Sequence, residues 1–346
     1  MRRFLKIAGL IFVLTCLVPV GFWFAAQIRE NQPASALKPE NGQFVGTAEG
    51  RIHVSIWGPP GGRPVLMTHG MAAWGGLWAD TAQHLAGRGY RVIAMDLAPF
   101  GLSDRSNGDF SRSRQAKRLN LLAAALDLES YILVGHSYGG GVALEAALTN
   151  EERMAGMVLV CPVVKLIDGS FDPASEKVPA LLGIPVVTDM LIASTIGNPL
   201  LTGTLARRFM HRKEGLTGRD VAILQWPMPR TGNGKAMGAW LRQFLAEGSA
   251  PLSRHREAVA RLDLPVTLIW GEEDAVTPIS LGEELASIMT PQAFHRLKNT
   301  GHMPQLEDRE TFSRLLGDTL DAMNEKGSVI GSQLRGTIPI KLASDS

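Results

Sequence analysis

The sequence predicts an α/β protein with a doubly wound, mostly parallel sheet, an inserted helical cap and an N-terminal transmembrane helix. Short apolar runs rich in β-branched residues alternate with stretches of helical periodicity, the pattern of a parallel sheet covered on both faces. The alternation stops between residues 163 and 250, where helical segments broken by glycine and proline follow one another without a convincing strand. An uncharged run at residues 7–26 adds the membrane segment.

The N-terminal segment is predicted to be a membrane anchor or a signal peptide. Basic residues within the first six positions precede the uncharged run, which is long enough to cross a bilayer as a helix. Aromatic residues at positions 22–24 are typical of a membrane interface rather than of a cleavage site. We predict an uncleaved, single-pass anchor over residues 1–28 that places the folded body on the extracytoplasmic side of the cell membrane. Secretion after signal cleavage is the alternative.

The remaining chain divides by composition. Residues 29–45 are polar and contain two prolines, which predicts a linker. The core is predicted over residues 46–162 and 251–325, with the cap over 163–250 and a flexible tail over 326–346. Helical patterns cover residues 76–87, 112–127 and 138–149, and strands are predicted at residues 52–57, 64–68, 91–95, 131–135, 156–161, 265–270 and 293–297.

One stretch of the cap is unusually apolar. Residues 178–206 contain Asp189 as their only charged residue, yet prolines interrupt any continuous helix that could span a membrane. The stretch either lines an apolar pocket or touches a bilayer surface. We expect it to form the roof of the pocket.

Composition excludes several classes of partner. The 35 basic and 33 acidic residues give a net charge of +2 and are spread along the chain, so no nucleic-acid partner is predicted. Cys16 lies in the N-terminal apolar run and Cys161 closes another apolar run, which makes a disulfide between them implausible. No phosphate loop, H-E-x-x-H or paired C-x-x-C motif occurs, so neither a cofactor nor a metal is predicted. The sequence does not indicate the oligomeric state.

The stretch "ILVGHSYGGGVALEAAL" at residues 132–148 suggests a nucleophile. An apolar run, a glycine-flanked turn and a helix-forming run predict a buried strand, a tight turn and a helix. Ser137 stands at the turn between Gly135 and Gly139, the G-x-S-x-G pattern that holds a serine hydroxyl in the open on a strained backbone. Ser137 is therefore the candidate nucleophile.

A second glycine turn predicts an oxyanion site. His69 and Gly70 follow the apolar run "PVLM", and the glycine lets the loop backbone approach a ligand closely. The backbone N–H groups of Met71 and Tyr138 are the predicted oxyanion donors. The next loop, residues 95–104, is expected to shape the wall beside this site, with a structural role for Asp96.

The acid and the base of a triad are expected near the C-terminal edge of the sheet. Asp274 follows the strand-like "PVTLIWG", and Glu272 and Glu273 are its rivals; capping of a helix is the structural alternative. His302, in "KNTGHMPQLED", stands between the last predicted strand and the final helix. The order Ser137, Asp274, His302 is that of hydrolases built on this type of turn.

Taken together, these motifs resemble the α/β-hydrolase family in its cap-bearing branch, over about residues 46–325. The matching segments are His69-Gly70, "DLAPFGLSD", "GHSYGG", "GEEDAVTP" and "GHMPQLE". Epoxide hydrolases and haloalkane dehalogenases of that branch carry aspartate at the nucleophile position, so Ser137 argues against both.

The resemblance implies acyl transfer from a carbonyl substrate to the serine, followed by release with water. We predict a membrane-anchored serine hydrolase that cleaves small apolar carboxylic esters. The first alternative is a carbon–carbon bond hydrolase of ring-cleavage products, and the second is a non-catalytic ligand-binding member of the fold.

Overall fold

Strands from the whole length of the chain meet in one sheet of the computed structural model, which describes residues 17–106, 108–167, 179–247 and 251–335, with side chains up to residue 324. The strands in these ranges are β1 (Gly42–Thr47), β2 (Gly50–Trp57), β3 (Arg63–Thr68), β4 (Tyr90–Met95), β5 (Tyr131–His136), β6 (Met154–Val160), β7 (Val266–Gly271) and β8 (Ala293–Leu297). Their order across the sheet is β1-β2-β4-β3-β5-β6-β7-β8.

The strands from β3 to β8 pair in parallel, whereas β1 with β2 and β2 with β4 are antiparallel. The predicted mostly parallel sheet is therefore confirmed. All seven predicted strands form, and β1 is an addition at the sheet edge. This strand was not predicted because its sequence, GQFVGT, contains two glycines and only one of its residues is buried.

Helices cover both faces of the sheet. Within the described ranges they are α1 (residues 17–29), α2 (Ala79–Gly87), α3 (Arg112–Ala125), α4 (Tyr138–Thr149), α5 (Pro185–Ser194), α6 (Thr202–Arg208), α7 (Gly218–Gln225), α8 (Asn233–Leu245), α9 (Arg256–Ala260), α10 (Ile279–Met289), α11 (Pro304–Glu307) and α12 (Arg309–Arg335).

Each central strand buries side chains on both faces of the sheet, since neighbouring residues point in opposite directions. Leu66 and Leu133 belong to one buried cluster, and Val65 and Val134 belong to the cluster on the other face. The continuous apolar runs of the sequence are therefore strands packed between two layers of helices.

The predicted cap region is helical. Between β6 and β7 the described residues form α5 to α9 and short turns, and they contain no strand of the sheet. Helix α8 packs along α5, which brings the C-terminal part of the region beside the apolar stretch of residues 178–206.

The structure describes the N-terminal region from residue 17 onward. None of the helices in the described residues is long and apolar enough to cross a membrane. Residues 1–16 of the predicted anchor lie outside the described residues. The segment 29–45, predicted as a linker, includes the start of β1 and buries Glu30 and Leu37. A charged residue such as Glu30 is normally expected at the surface. It is buried here because its carboxylate accepts a hydrogen bond from the backbone N–H of Gly234, at the start of α8.

Part of the predicted C-terminal tail is helical. Helix α12 continues to Arg335, so residues 326–335 of the predicted flexible tail are helical. A helix that is already nucleated by packing can extend, because each added residue gains one backbone hydrogen bond. Residues 336–346 lie outside the described part of the chain.

Candidate active site

Ser137 lies at a strained turn between β5 and α4. Its backbone has φ 54° and ψ −122°, a conformation that a residue with a side chain rarely adopts. The turn needs glycine at its flanks: a Cβ on Gly135 would lie 2.7 Å from the Cα of Gly140, and one on Gly139 would collide with the carbonyl oxygen of His69. The serine hydroxyl is therefore held in place by backbone packing that tolerates no added atoms.

Substitution of Gly139 by alanine should test this packing. The added methyl group must displace the His69 carbonyl, so Gly139→Ala should lower the free energy of unfolding by about 1–3 kcal/mol and reduce turnover. Gly61→Ala is the matched control, because a Cβ there meets no atom within 4 Å. Urea unfolding of both variants measures the difference; equal stabilities would contradict the packing argument.

The structure brings together the three side chains of the predicted triad. His302 Nε2 lies 2.8 Å from Ser137 Oγ, and His302 Nδ1 lies 2.8 Å from Asp274 Oδ2. All three residues are buried. Because a carboxylate oxygen accepts, Nδ1 carries the proton, and Nε2 is left with a lone pair that faces the serine hydroxyl.

The Asp274 carboxylate is held from several directions. Oδ1 accepts from the backbone N–H groups of Val276 and Thr277, each at 2.8 Å, and Oδ2 accepts from the Thr277 hydroxyl at 2.8 Å as well as from His302. Burial alone would raise the pKa of Asp274, but the hydrogen bonds and charge of His302 and the donors of Thr277 outweigh it and lower the pKa. The group therefore remains an anion that orients the imidazole.

The rival acids do not reach the histidine. Glu272 is exposed, and Glu273 Oε2 instead accepts a hydrogen bond from the backbone N–H of Thr300 at 2.9 Å. Of the three neighbouring carboxylates, Asp274 contacts His302 directly.

The described residues contain one group of metal-ligand types close together, formed by Cys161, Asp274 and His302. Burial raises the pKa of the Cys161 thiol well above its usual value, so the sulfur is a neutral thiol rather than a metal-binding thiolate. Asp274 and His302 also use the same atoms to bind each other. The chemistry of this group does not favour a metal ion.

Glu307 holds the loop that carries His302, a role the sequence motifs did not indicate. Its buried carboxylate accepts from the backbone N–H groups of Gly301 and Met303, on either side of the histidine, at 2.9 and 3.0 Å. The same carboxylate accepts from the N–H groups of His211 and Arg212 in the cap, both at 2.9 Å. The sequence signal for this role was the presence of Glu307 in the same motif as the histidine, "GHMPQLE".

His136 supports the same loop. Its Nε2 donates to the carbonyl oxygen of His302 at 2.8 Å, and its Nδ1 accepts a long bond from Gln305 Nε2 at 3.4 Å. The pKa of His136 is lowered to about 3, mainly by burial and to a smaller extent by the positive charge of His302. This histidine is therefore neutral at physiological pH, and it positions the base rather than serving as one.

Because His136 stays neutral in the folded protein, we expect the free energy of unfolding to depend on pH. Below the ordinary histidine pKa of 6.5 the unfolded chain binds a proton that the folded protein excludes until about pH 3, so stability is lost across that window. Between these pH values the unfolded wild type binds about one proton more than the folded protein, and His136→Gln lacks this proton. The slope of unfolding free energy against pH should therefore be steeper in the wild type by ~1.4 kcal/mol per pH unit. His84→Gln, at an exposed position, is the control. A variant slope as steep as that of the wild type would refute the assignment.

The residues that carry the predicted oxyanion donors lie around the cavity at the serine. Met71 and Tyr138 line the same cavity as Ser137, and in the described residues their backbone N–H groups donate to no other atom of the protein. His69 fixes the loop that carries Met71: its Nδ1 donates to the Gly70 carbonyl at 2.8 Å, and its Nε2 accepts from the N–H of Leu97 at 3.0 Å. The two amides are thus available to a ligand.

Asp96 has the structural role that its loop predicts. Oδ1 accepts from the N–H of Gly75, and Oδ2 accepts from the N–H of Leu102, both at 2.7 Å. Oδ2 also lies 2.9 Å from His53 Nδ1. The carboxylate ties the loop of residues 95–104 to the oxyanion loop.

A cavity of about 240 Å³ opens at the serine. Most of its lining is apolar, and the described residues around it include no lysine or arginine. They are Gly70, Met71, Ala73, Leu77, His136, Ser137, Tyr138, Val163, Phe209, Trp240, Phe244, Val276, Thr277, His302 and Met303.

The cap contributes to this cavity from an unexpected place. Phe209 and the α8 residues Trp240 and Phe244 line it, with the two α8 rings stacked 5.1 Å apart. None of the described residues in the apolar stretch 178–206 reaches the cavity. The prediction that this stretch roofs the pocket is wrong: five of its large apolar side chains are exposed, and Ile192 and Ile196 pack in the core cluster instead.

Comparisons with known proteins agree with this architecture. A family model described as "alpha/beta hydrolase fold" matches residues 63–309. The 2-hydroxy-6-oxononadienedioate/2-hydroxy-6-oxononatrienedioate hydrolase of Paraburkholderia xenovorans (strain LB400) is 29% identical over 294 residues, which cover 80% of this chain and 92% of that protein.

Two solved structures share the fold. The meta-cleavage product hydrolase from Pseudomonas fluorescens IP01 superposes with a TM-score of 0.64 at 24% identity, covering 82% of this chain and 98% of its own. A protein described as a membrane phospholipase A superposes with a TM-score of 0.66 at 21% identity, covering 94% of this chain and 99% of its own. At these identities the likeness shows the fold alone.

Proposed function

Because the chain belongs to the α/β-hydrolase family, we propose that it hydrolyses a carbonyl substrate through Ser137, His302 and Asp274. The observation that carries this proposal is the continuous set of hydrogen bonds from Asp274 through His302 to Ser137, each 2.8 Å long, at the floor of a cavity. Nucleophile and base within hydrogen-bond reach, with the base oriented by a third group, is the arrangement that acyl transfer requires.

The geometry suggests a sequence of proton transfers. His302 Nε2 takes the Ser137 proton as Oγ attacks the carbonyl carbon, and Asp274 stabilises the imidazolium that results. The Met71 and Tyr138 amides receive the negative charge on the carbonyl oxygen. His302 then returns its proton to the leaving group. Water attacks the acyl-serine in the same way and restores the enzyme.

For the substrate, we propose a carboxylic ester with an apolar acyl group. The cavity that meets Ser137 is lined by aromatic and aliphatic side chains, and the described lining offers no cation to a charged substrate. Burial of a carboxylate in such a cavity without a partner would be costly, whereas a neutral ester is accommodated at no such cost.

Carbon–carbon bond hydrolysis is the second candidate, and the comparisons favour it over ester hydrolysis. The relative from Paraburkholderia xenovorans is named for such a substrate, a dioate with a ketone group. The oxygen of Ser137 would attack that ketone, with His302 as the base and the same two amides stabilising the oxyanion. The two candidates are separated by assaying the purified chain with 2-hydroxy-6-oxononadienedioate and with nitrophenyl esters; turnover of the first but not the second would reject the ester proposal.

A non-catalytic ligand-binding role is the third possibility. It predicts a serine that does not react, whereas the hydrogen bond from Ser137 to His302 predicts an activated one. Labelling of Ser137 by a fluorophosphonate probe, located by mass spectrometry, would support an enzyme. Absence of labelling in the folded protein would support the binding role.

The apolar lining predicts a preference for longer acyl chains. Each methylene buried against Trp240 and Phe244 contributes up to ~0.8 kcal/mol, so kcat/KM should rise about 10- to 100-fold from acetyl to hexanoyl nitrophenyl esters. Phe244→Trp should narrow the cavity and move the optimum toward shorter chains. Phe24→Trp, on the exposed surface of α1, is the matched control. A steady fall in kcat/KM from acetate upward would contradict the apolar-lining argument.

We also propose that the N-terminal segment attaches the protein to a membrane on its extracytoplasmic side. Support comes from the uncharged run of residues 7–26 behind N-terminal basic residues. Mass spectrometry of the mature protein distinguishes an anchor from a cleaved signal. Protease treatment of spheroplasts tests the topology, since an extracytoplasmic body should be digested.

A further inference from the structure

The exposed apolar side chains of the protein are unevenly distributed. Of the thirteen large ones among the described residues, nine lie in two stretches, α1 and residues 181–200 of the cap. In α1 they are Leu17, Val18, Phe24 and Ile28. In the cap they are Leu181, Ile184, Val186, Leu191 and Leu200, which we call the apolar cap face; Leu200 is 79% exposed. Exposed apolar side chains that cluster in two stretches of the chain favour an interaction surface there.

These two stretches are joined by specific contacts. Arg29, at the end of α1, donates from Nη2 to the carbonyl oxygen of Gly197 at 2.8 Å, three residues before Leu200. The neighbouring Glu30 accepts at 2.9 Å from the N–H of Gly234, at the start of α8. Ala26 is buried at this junction. The apolar run of residues 7–26 therefore ends against the cap, beside the apolar cap face.

The apolar cap face has no function in the cavity, since none of its residues lines it. Exposed arginines, Arg207 and Arg208, lie in the last turn of α6, which begins two residues after Leu200. Exposed apolar side chains that are followed along the chain by exposed cations fit the boundary between acyl chains and phosphate headgroups.

We infer that the apolar cap face rests on a phospholipid bilayer. The N-terminal run would enter the same bilayer and would hold the cap against it through the Arg29 and Glu30 contacts. The inference rests on the proposed membrane attachment but not on the identity of the substrate. It predicts that residues of the cap, not only those of the N-terminal segment, contact lipid.

Lipid contact can be measured on the full-length chain. In a Cys16→Ser background, Val186→Cys and Leu200→Cys are each labelled with an environment-sensitive fluorophore; the buried Cys161 is inaccessible to the label. Leu252→Cys is the matched control, an exposed apolar position outside both stretches. The proteins are reconstituted in phosphatidylcholine–phosphatidylglycerol vesicles that contain nitroxide-labelled lipid, and flotation reports attachment separately.

We expect the proteins to float with the vesicles, and the labels at positions 186 and 200 to be quenched at least about twofold more than the label at 252. Flotation with equal quenching at all three positions would overturn the inference while leaving membrane attachment intact. Failure to float would overturn both. Shielding at 186 and 200 without quenching, together with chemical cross-linking of two chains, would show that a second copy covers the face and would also overturn it.

Discussion

Ser137→Ala is expected to lower kcat/KM by about 10³-fold or more while the protein stays folded. The substitution removes the oxygen that lies 2.8 Å from His302 Nε2 and changes little volume, so the remaining rate comes from binding and the oxyanion donors alone. Steady-state kinetics with the best ester, together with circular dichroism, measures both quantities.

A buried serine outside the site provides the control for this variant. Ser313 in α12 is buried and bonds to Thr81, and Ser313→Ala removes the same atom at a distance from the cavity. It should retain nearly full activity. If Ser137→Ala kept near wild-type turnover, or still reacted with a fluorophosphonate, a different nucleophile would have to be sought.

Asp274→Asn should produce the second large loss, about 10³-fold or more in kcat. The carboxylate accepts from four donors, two backbone N–H groups, the Thr277 hydroxyl and His302 Nδ1. An asparagine side chain has one acceptor oxygen and an NH₂ group that only donates. When the oxygen stays with the two backbone N–H groups, the NH₂ group faces His302 Nδ1. The imidazole then loses the partner that fixes its proton on Nδ1.

Glu273→Gln is the matched control, since this neighbouring carboxylate accepts from the Thr300 N–H and its amide analogue still can. Its turnover should change by less than about tenfold. A larger loss in Glu273→Gln than in Asp274→Asn would show that the acid had been misassigned.

The sheet and the triad geometry were predictable from the sequence because both depend on local patterns. Strands that are buried on both faces of a sheet appear in the sequence as continuous apolar runs. Catalytic residues are expected directly after such runs, at the carboxyl ends of the strands. Ser137 is marked by glycines that its backbone conformation requires. Asp274 and His302 are marked by their position directly after strand-like runs, and the structure places both within hydrogen-bond distance of their expected partners.

Features that depend on tertiary contacts were not predictable. An apolar stretch such as residues 178–206 must be buried or must meet an apolar partner, but composition does not say which way its side chains face. The cavity wall instead comes from Trp240 and Phe244 in α8, a helix whose sequence also contains lysine, arginine and glutamine. Glu307 was missed because its four donors belong to two separate segments of the chain.

The Glu307 carboxylate links the loop that carries His302 to the cap. Two of its donors come from the His302 loop and two from cap residues His211 and Arg212. If the cap moved away from the core, the buried Glu307 carboxylate would lose the hydrogen bonds from His211 and Arg212. Each buried hydrogen bond left unsatisfied costs about 1–3 kcal/mol or more. The carboxylate thus couples the two segments: any opening of the cap would also weaken the support of the loop that carries His302.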